Sequence, residues 1–150
     1  MRIAIASDHA ALELKAALLS YVREQGHEVS DLGPHDAASV DYPDYGYKLA
    51  DAVATDQADF GVAICGSGIG ISIAVNRNIG CRAALVSEPL SAALAREHND
   101  ANVIALGARM IGIEMAKACV DAFLNTPFGG DRHVRRVDKL SNPPLSKVSQ

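Results

Sequence analysis

The sequence predicts an α/β fold built on one parallel sheet, and three observations predict it. Short β-rich apolar runs alternate with amphipathic helical patterns along most of the chain, the signature of right-handed βαβ units. The chain has 150 residues, the size of one domain, so a single sheet must carry everything. Glycines crowd the end of the third run, in Cys65-Gly66-Ser67-Gly68-Ile69-Gly70, where a strand gives way to a helix.

Residues 2–6 form the first expected strand. A helix over residues 11–25 follows, with Leu14, Leu18, Tyr21 and Val22 at helical spacing, and Gly26 ends it. Residues 27–32 are the second strand, and the polar segment 33–43 leads to a helix over residues 45–55. Residues 60–65 are the third strand, and the next helix begins within residues 70–76. Residues 82–86 are the fourth strand; Pro89 suits the first turn of a helix running to residue 98. Residues 102–106 are the fifth strand. Residues 112–124 carry Ile113, Ala116, Val120 and Phe123 on one helical face and close the α/β core, residues 1–126. After Pro127 and two glycines, Asp131 is expected to cap a basic helix over residues 131–141. Its only apolar stripe is Val134, Val137 and Leu140, too little to hold it on its own core, so it is expected to reach a partner subunit. Residues 142–150 are expected to be a flexible tail.

Composition excludes several classes. Lys+Arg 14 against Asp+Glu 18 gives a net charge of −4, without the global positive field of a dedicated nucleic-acid or membrane-surface binder. The longest uncharged stretch, residues 60–76, is broken by glycines and shorter than a membrane span of about 20 residues. No export signal is visible at the N-terminus, and the odd number of cysteines, without metal-type pairing, suggests a reducing cytoplasm.

In open parallel sheets ligands bind beyond the carboxyl ends of the strands, and here those positions are polar. The first strand ends in Ser7-Asp8-His9, the fourth in Ser87-Glu88, and the fifth leads to Gly107 and Arg109; the helix after the fourth ends in His98-Asn99-Asp100. The loop Gly66–Ser67–Gly68–Ile69–Gly70 can bring backbone N–H groups close to an anion, as a phosphate cradle or an oxyanion hole. A purely structural tight turn is the alternative. A nucleotide is disfavoured, because the third glycine comes one position early for the dinucleotide fingerprint and there is no Walker lysine.

Cys65, just before that loop, is a candidate base or nucleophile, since a following helix N-terminus favours a thiolate; its alternative is a small buried hydrophobe. Cys81 and Cys119 lack that setting and read as core. His98 is a candidate proton shuttle or a histidine favoured at a helix C-terminus. Asp8 and His9 can orient a hydroxyl and contact a phosphate, or cap a helix. Arg132 and Arg136, four apart, can clamp a dianion or form a solvated basic face.

The strings Ser7-Asp8-His9-Ala10, Asp41-Tyr42-Pro43, Cys65–Ser72, Ser87-Glu88-Pro89, Glu97-His98-Asn99-Asp100-Ala101-Asn102 and Arg132-His133 with Arg136 together resemble the type B ribose-5-phosphate isomerases. The likeness extends to the wider group that includes galactose-6-phosphate isomerase subunits. It covers nearly the whole chain. The resemblance implies a Rossmann-like three-layer α/β/α sandwich without nucleotide, no metal and no cofactor, and a homodimer or dimer of dimers with active sites shared between subunits. It implies aldose–ketose isomerisation of a phosphorylated sugar through a cis-enediol(ate). Cys65 would be the base, His98 the acid for ring opening, Asp8 the assistant at the anomeric hydroxyl, and Ser67 with the loop the donors to the enediolate. His9, Arg109, Arg132 and Arg136 would hold the phosphate, Asn99 a sugar hydroxyl, and Tyr42 would line the pocket. One branch of the family has a glutamate after the glycine loop; Ile71 stands there, which favours Cys65 as base. The intact His98-Asn99-Asp100 favours ribose 5-phosphate over galactose 6-phosphate; a four-carbon ketose phosphate and allose 6-phosphate are further alternatives, and a non-catalytic phosphate- or nucleotide-binding module is the reading from another class. The chain departs from the family at Ala11, Ser67 and Asp131, the last where a glycine is common.

Overall fold

The computed structural model describes residues 1–144. Its elements are β1 (Arg2–Ser7), a 3-10 turn (His9–Ala11) running into α1 (Leu12–Glu24), β2 (Glu28–Asp31), α2 (Tyr42–Ala54), β3 (Phe60–Cys65), α3 (Ile69–Val75), β4 (Ala83–Leu85), α4 (Pro89–Asn99), β5 (Val103–Gly107) and α5 (Ile113–Asn125). A second 3-10 turn (Asp131–His133) then leads into α6 (Val134–Ser141). The strands form a five-stranded sheet in the order β2-β1-β3-β5-β4, and all pairs are parallel. Among the described residues no helix is long and apolar enough to cross a membrane.

Both faces of the sheet are covered, as the near-continuous apolar strands require. Alternation along each strand sorts the side chains. Ile3, Ile5, Val62, Ile64, Ile104 and Leu106 pack with Leu18 of α1, Ala92 of α4 and Val120 and Phe123 of α5. Ala4, Ala6, Ala63 and Ala105 face the other way, against Leu49 and Val53 of α2 and Ile71 and Val75 of α3. Small residues on that face let the helices approach closely: a Cβ on Gly46 would stand 2.8 Å from that of Ala74. Three layers result, helices on sheet on helices.

Every expected strand and helix is present, and the differences lie at the ends. Helix α2 begins at Tyr42, with Asp41 at its N-cap and Pro43 in the first turn, so Tyr42 is on a helix and not in the preceding loop. Pro43 is pre-set for a first turn, where its missing N–H costs nothing. Asp131 does not cap the last helix: its side chain makes no cap hydrogen bond, and α6 starts later, at Val134. Asp131 instead has φ 48°, the left-handed conformation that glycine normally supplies and aspartate tolerates. Ser87-Glu88 turns out to be a helix cap, the Glu88 carboxylate accepting the N–H groups of Leu90 and Ser91 at 2.6 and 2.7 Å. Of the expected flexible tail, residues 145–150 lie outside the described residues.

A buried ion pair ties α1 to β2. Lys15 donates to Asp31 Oδ1 at 2.7 Å and to the Pro34 carbonyl at 2.6 Å. Burial alone would raise the Asp31 carboxyl, but the hydrogen bonds from Lys15 and from the Gly33 N–H outweigh it and hold the group below the usual carboxylate range. The pair anchors the segment that leads to Val40, whose N–H reaches the candidate site.

Candidate active site

The site is assembled where β1, β3 and β5 end. Asp8 follows β1, its N–H bonded to the Ile64 carbonyl at 3.1 Å and its Oδ1 accepting the Ala10 N–H at 3.0 Å. It therefore caps the 3-10 turn while also lining the cleft. His9 Nδ1 accepts the Val40 N–H at 3.1 Å. In the neutral ring that bond places the proton on Nε2, making Nε2 a donor.

Cys65 closes β3 and is packed in the core at 4% exposure, yet its Sγ accepts the Gly68 N–H at 3.1 Å. Gly68 makes this possible. Its φ is 77°, and a Cβ there would stand 2.6 Å from Leu85 Cδ1 and 2.8 Å from the Leu106 carbonyl carbon. The left-handed turn at Gly68 sends the chain back over the sulfur and straight into α3. Ser67 Oγ accepts the Ile69 N–H at 3.2 Å, and the N–H groups of Gly70 and Ile71 fall in the first helical turn, where no intrahelical acceptor exists. Tyr42 lies over Gly70, whose Cβ would stand 2.5 Å from the phenol ring. The Arg109 N–H donates to the Gly66 carbonyl at 2.9 Å, and its guanidinium passes 3.5 Å from where a Gly66 Cβ would be.

These groups enclose a cleft of about 580 Å³ that brings together Asp8, His9, Tyr42, Cys65, Gly66, Ser67, Ile69, Gly70 and Arg109. Ala10, Ile73 and Met110, which sequence reasoning did not single out, complete its lining. Nothing in their types marks them in a linear sequence; Ala10 and Met110 adjoin His9 and Arg109, and Ile73 stands one helical turn beyond Ile69 and Gly70. Cys81 and Cys119 are elsewhere, and burial pushes both thiols up to about 11.

His98, Asn99, Arg132 and Arg136 do not line this cleft. In a βαβ unit the helix runs opposite to the strands, so its C-terminus lies at the edge where strands begin. His98 and Asn99 end α4, and Ala101 and Asn102 lead straight into β5. Arg132 and Arg136 follow α5 and sit beside the same end of α4, because the Gly129 N–H donates to the Glu97 carbonyl at 2.9 Å. The expected residues therefore fall into two groups at opposite edges of one sheet. In the second group the His98 and His133 rings stack at 4.4 Å, and Arg132 and Arg136 make no ion pair among the described residues. Sequence reasoning also missed what holds this turn. Asp100, with φ 46°, accepts Arg82 at 3.1 Å and Arg96 at 2.8 Å.

Fold and cleft together define an α/β enzyme for a small anionic substrate: a thiol, an N–H-rich loop, an imidazole and a guanidinium at the carboxyl edge of a parallel sheet. Comparison with known proteins narrows the class. The family model described as Ribose/Galactose Isomerase matches residues 3–140. Ribose-5-phosphate isomerase B of Escherichia coli is 45% identical over 140 residues, 93% of this chain and 94% of that one. The structure of the Clostridium thermocellum ribose-5-phosphate isomerase B superposes with a TM-score of 0.93 at 46% identity, covering 94% of this chain and 95% of that one. That of the Mycoplasma genitalium enzyme with bound ribulose-5-phosphate gives 0.90 at 42% identity, covering 93% of each. The chain belongs to the ribose/galactose isomerase family.

Proposed function

We propose that this chain is a ribose-5-phosphate isomerase of type B that uses Cys65 as its base and completes each active site with a second copy of itself. The observation that carries the base assignment is the Gly68 N–H on Cys65 Sγ at 3.1 Å, inside the cleft that also holds Asp8, Ser67 and Arg109.

The steps balance as proton transfers. On the furanose form of ribose 5-phosphate, the partner's His98 protonates the ring oxygen as Asp8 takes the anomeric hydroxyl proton, and the C1–O bond to the ring breaks to give the open aldehyde. The Cys65 thiolate removes the proton from C2. The electron pair moves into a C1–C2 double bond, and charge develops on O1, where Ser67 and the loop N–H groups stand as fixed donors. Return of the proton to C1, with the O2 proton transferred toward O1, yields the ketone at C2. C1 is reduced and C2 oxidised, so no external redox partner is needed. His9 Nε2, Arg109 and the partner's Arg132 and Arg136 bind the phosphate; the partner's Asn99 binds a sugar hydroxyl and Tyr42 closes the cleft wall.

The dimer is supported by the two groups of residues at opposite sheet edges, which a two-fold axis can bring face to face. Supporting it too are the exposed apolar side chains on the cleft rim, Ile69, Ile73 and Met110, and the exposed Val134 and Leu140 of α6, a helix with no buried residue. The decisive experiment on the base is Cys65→Ala. Turnover of ribose 5-phosphate should fall by at least about 10³-fold, roughly 4 kcal/mol of barrier, with thermal unfolding little changed; near-normal turnover would remove Cys65 from the mechanism.

A further inference from the structure

The ring of His98 makes no hydrogen bond among the described residues; its nearest carboxylate oxygen, Glu97 Oε1, is 3.9 Å from Nε2. What fixes its plane is another imidazole. The rings of His98 and His133 lie face to face, with centroids 4.4 Å apart and planes 14° apart. They come from different elements, the last turn of α4 and the 3-10 turn ahead of α6. Gly129 permits the approach: its N–H bonds the Glu97 carbonyl, and a Cβ there would stand 2.9 Å from that oxygen. His133 is buried at 9% exposure, whereas the His98 side chain keeps 38%. One face of His98 is thus covered and its edge is left open for a substrate.

We propose that His133 is a positioning residue that holds His98 in the orientation needed for proton transfer to the sugar ring oxygen. The proposal rests on the reading of His98 as the ring-opening acid. The groups facing His133 are His98 and Glu97 on α4 and Arg132 and Arg136 on its own segment. Burial first, and then His98 and the two arginines, push His133 below the ordinary imidazole range, so at neutral pH it is an uncharged stacking surface.

Proton exchange and net conversion separate this role from a structural one. Ribose 5-phosphate enters as a furanose and must be opened before it reacts. Ribulose 5-phosphate cannot form a five- or six-membered ring, because phosphate occupies the C5 oxygen, so exchange of its C1 proton with solvent through the enediolate needs no ring step. Net conversion of ribose 5-phosphate, and exchange of the ribulose 5-phosphate C1 proton in heavy water, should be measured for His133→Ala, His133→Phe and His98→Asn. His133→Ala should lose about tenfold or more in kcat/KM for net conversion but no more than about threefold in the exchange rate, and His98→Asn should show the same selectivity more severely. His133→Phe, which keeps a flat ring against His98, should recover most of that loss. Equal losses in both measurements for His133→Ala, beside a selective His98→Asn, would overturn the positioning role while leaving His98 as the acid. Equal losses for His98→Asn would remove the acid role and the proposal with it.

Discussion

At the scale of single residues, Cys65 and Asp8 each combine a structural role with a place in the cleft. Cys65 is a core side chain packed among Val75, Ile71 and Ala105, and its sulfur is also the acceptor of a loop N–H. Asp8 caps a turn with one oxygen while lining the cleft. The groups proposed to carry the chemistry are already immobilised by their packing. Gly68 is the residue on which this depends most. Gly68→Ala would force a Cβ against the Leu106 backbone at 2.8 Å and hold a non-glycine residue at φ 77°. The left-handed backbone alone costs about 1–2 kcal/mol, so chemical denaturation should show a loss of at least about 2 kcal/mol. Activity should fall more than stability predicts, because the N–H that faces Sγ moves with the turn. An unchanged kcat would show that this N–H does not matter to the base. Asp131 shows the milder case: an aspartate keeps a left-handed conformation at φ 48°.

At the scale of elements, the strands and helices are legible because each has its own period and its own punctuation. The ends are less legible where one residue can serve two neighbours. Pro43 reads equally as the close of a loop or the opening of α2, and only the packing of Leu49 and Val53 on the sheet decides. Lys15 is invisible to periodicity, which assigns lysines to the surface; it is buried at 3% because Asp31 and the Pro34 carbonyl wait for it across a chain crossing. Asp31→Asn would leave the Lys15 ammonium buried without a countercharge, which costs about 3 kcal/mol when such a pair is broken. The same pair sets an acid limit. The folded carboxyl lies below its unfolded value of about 3.9, so its contribution is complete above that pH and is lost as pH falls through the folded value. Urea titrations from pH 6 to 3 should show wild type losing stability more steeply than Asp31→Asn. Parallel curves would mean that the pair adds nothing to folding.

At the scale of the whole molecule, the sheet's own polarity divides the site. Residues that follow strands gather at one edge, and residues that end helices gather at the other. The sequence motifs for both halves are equally visible, but their separation is a property of the fold and cannot be read from spacing along the chain. In the proposed shared site, one copy supplies the thiol and the N–H-rich loop, and another supplies His98, Asn99, Arg132 and Arg136. This arrangement predicts complementation between two inactive proteins. Cys65→Ala and His98→Asn, prepared separately, should each be nearly inactive on ribose 5-phosphate. After mixing in equal amounts under conditions that exchange subunits, half the dimers are mixed. Each mixed dimer has one site carrying both substitutions and one carrying neither, so activity should rise to about a quarter of wild type. A site contained within one chain has no intact copy in any such mixture. Mixed dimers identified by mass spectrometry that remain as inactive as their parents would refute the shared site, whatever the oligomeric state proves to be.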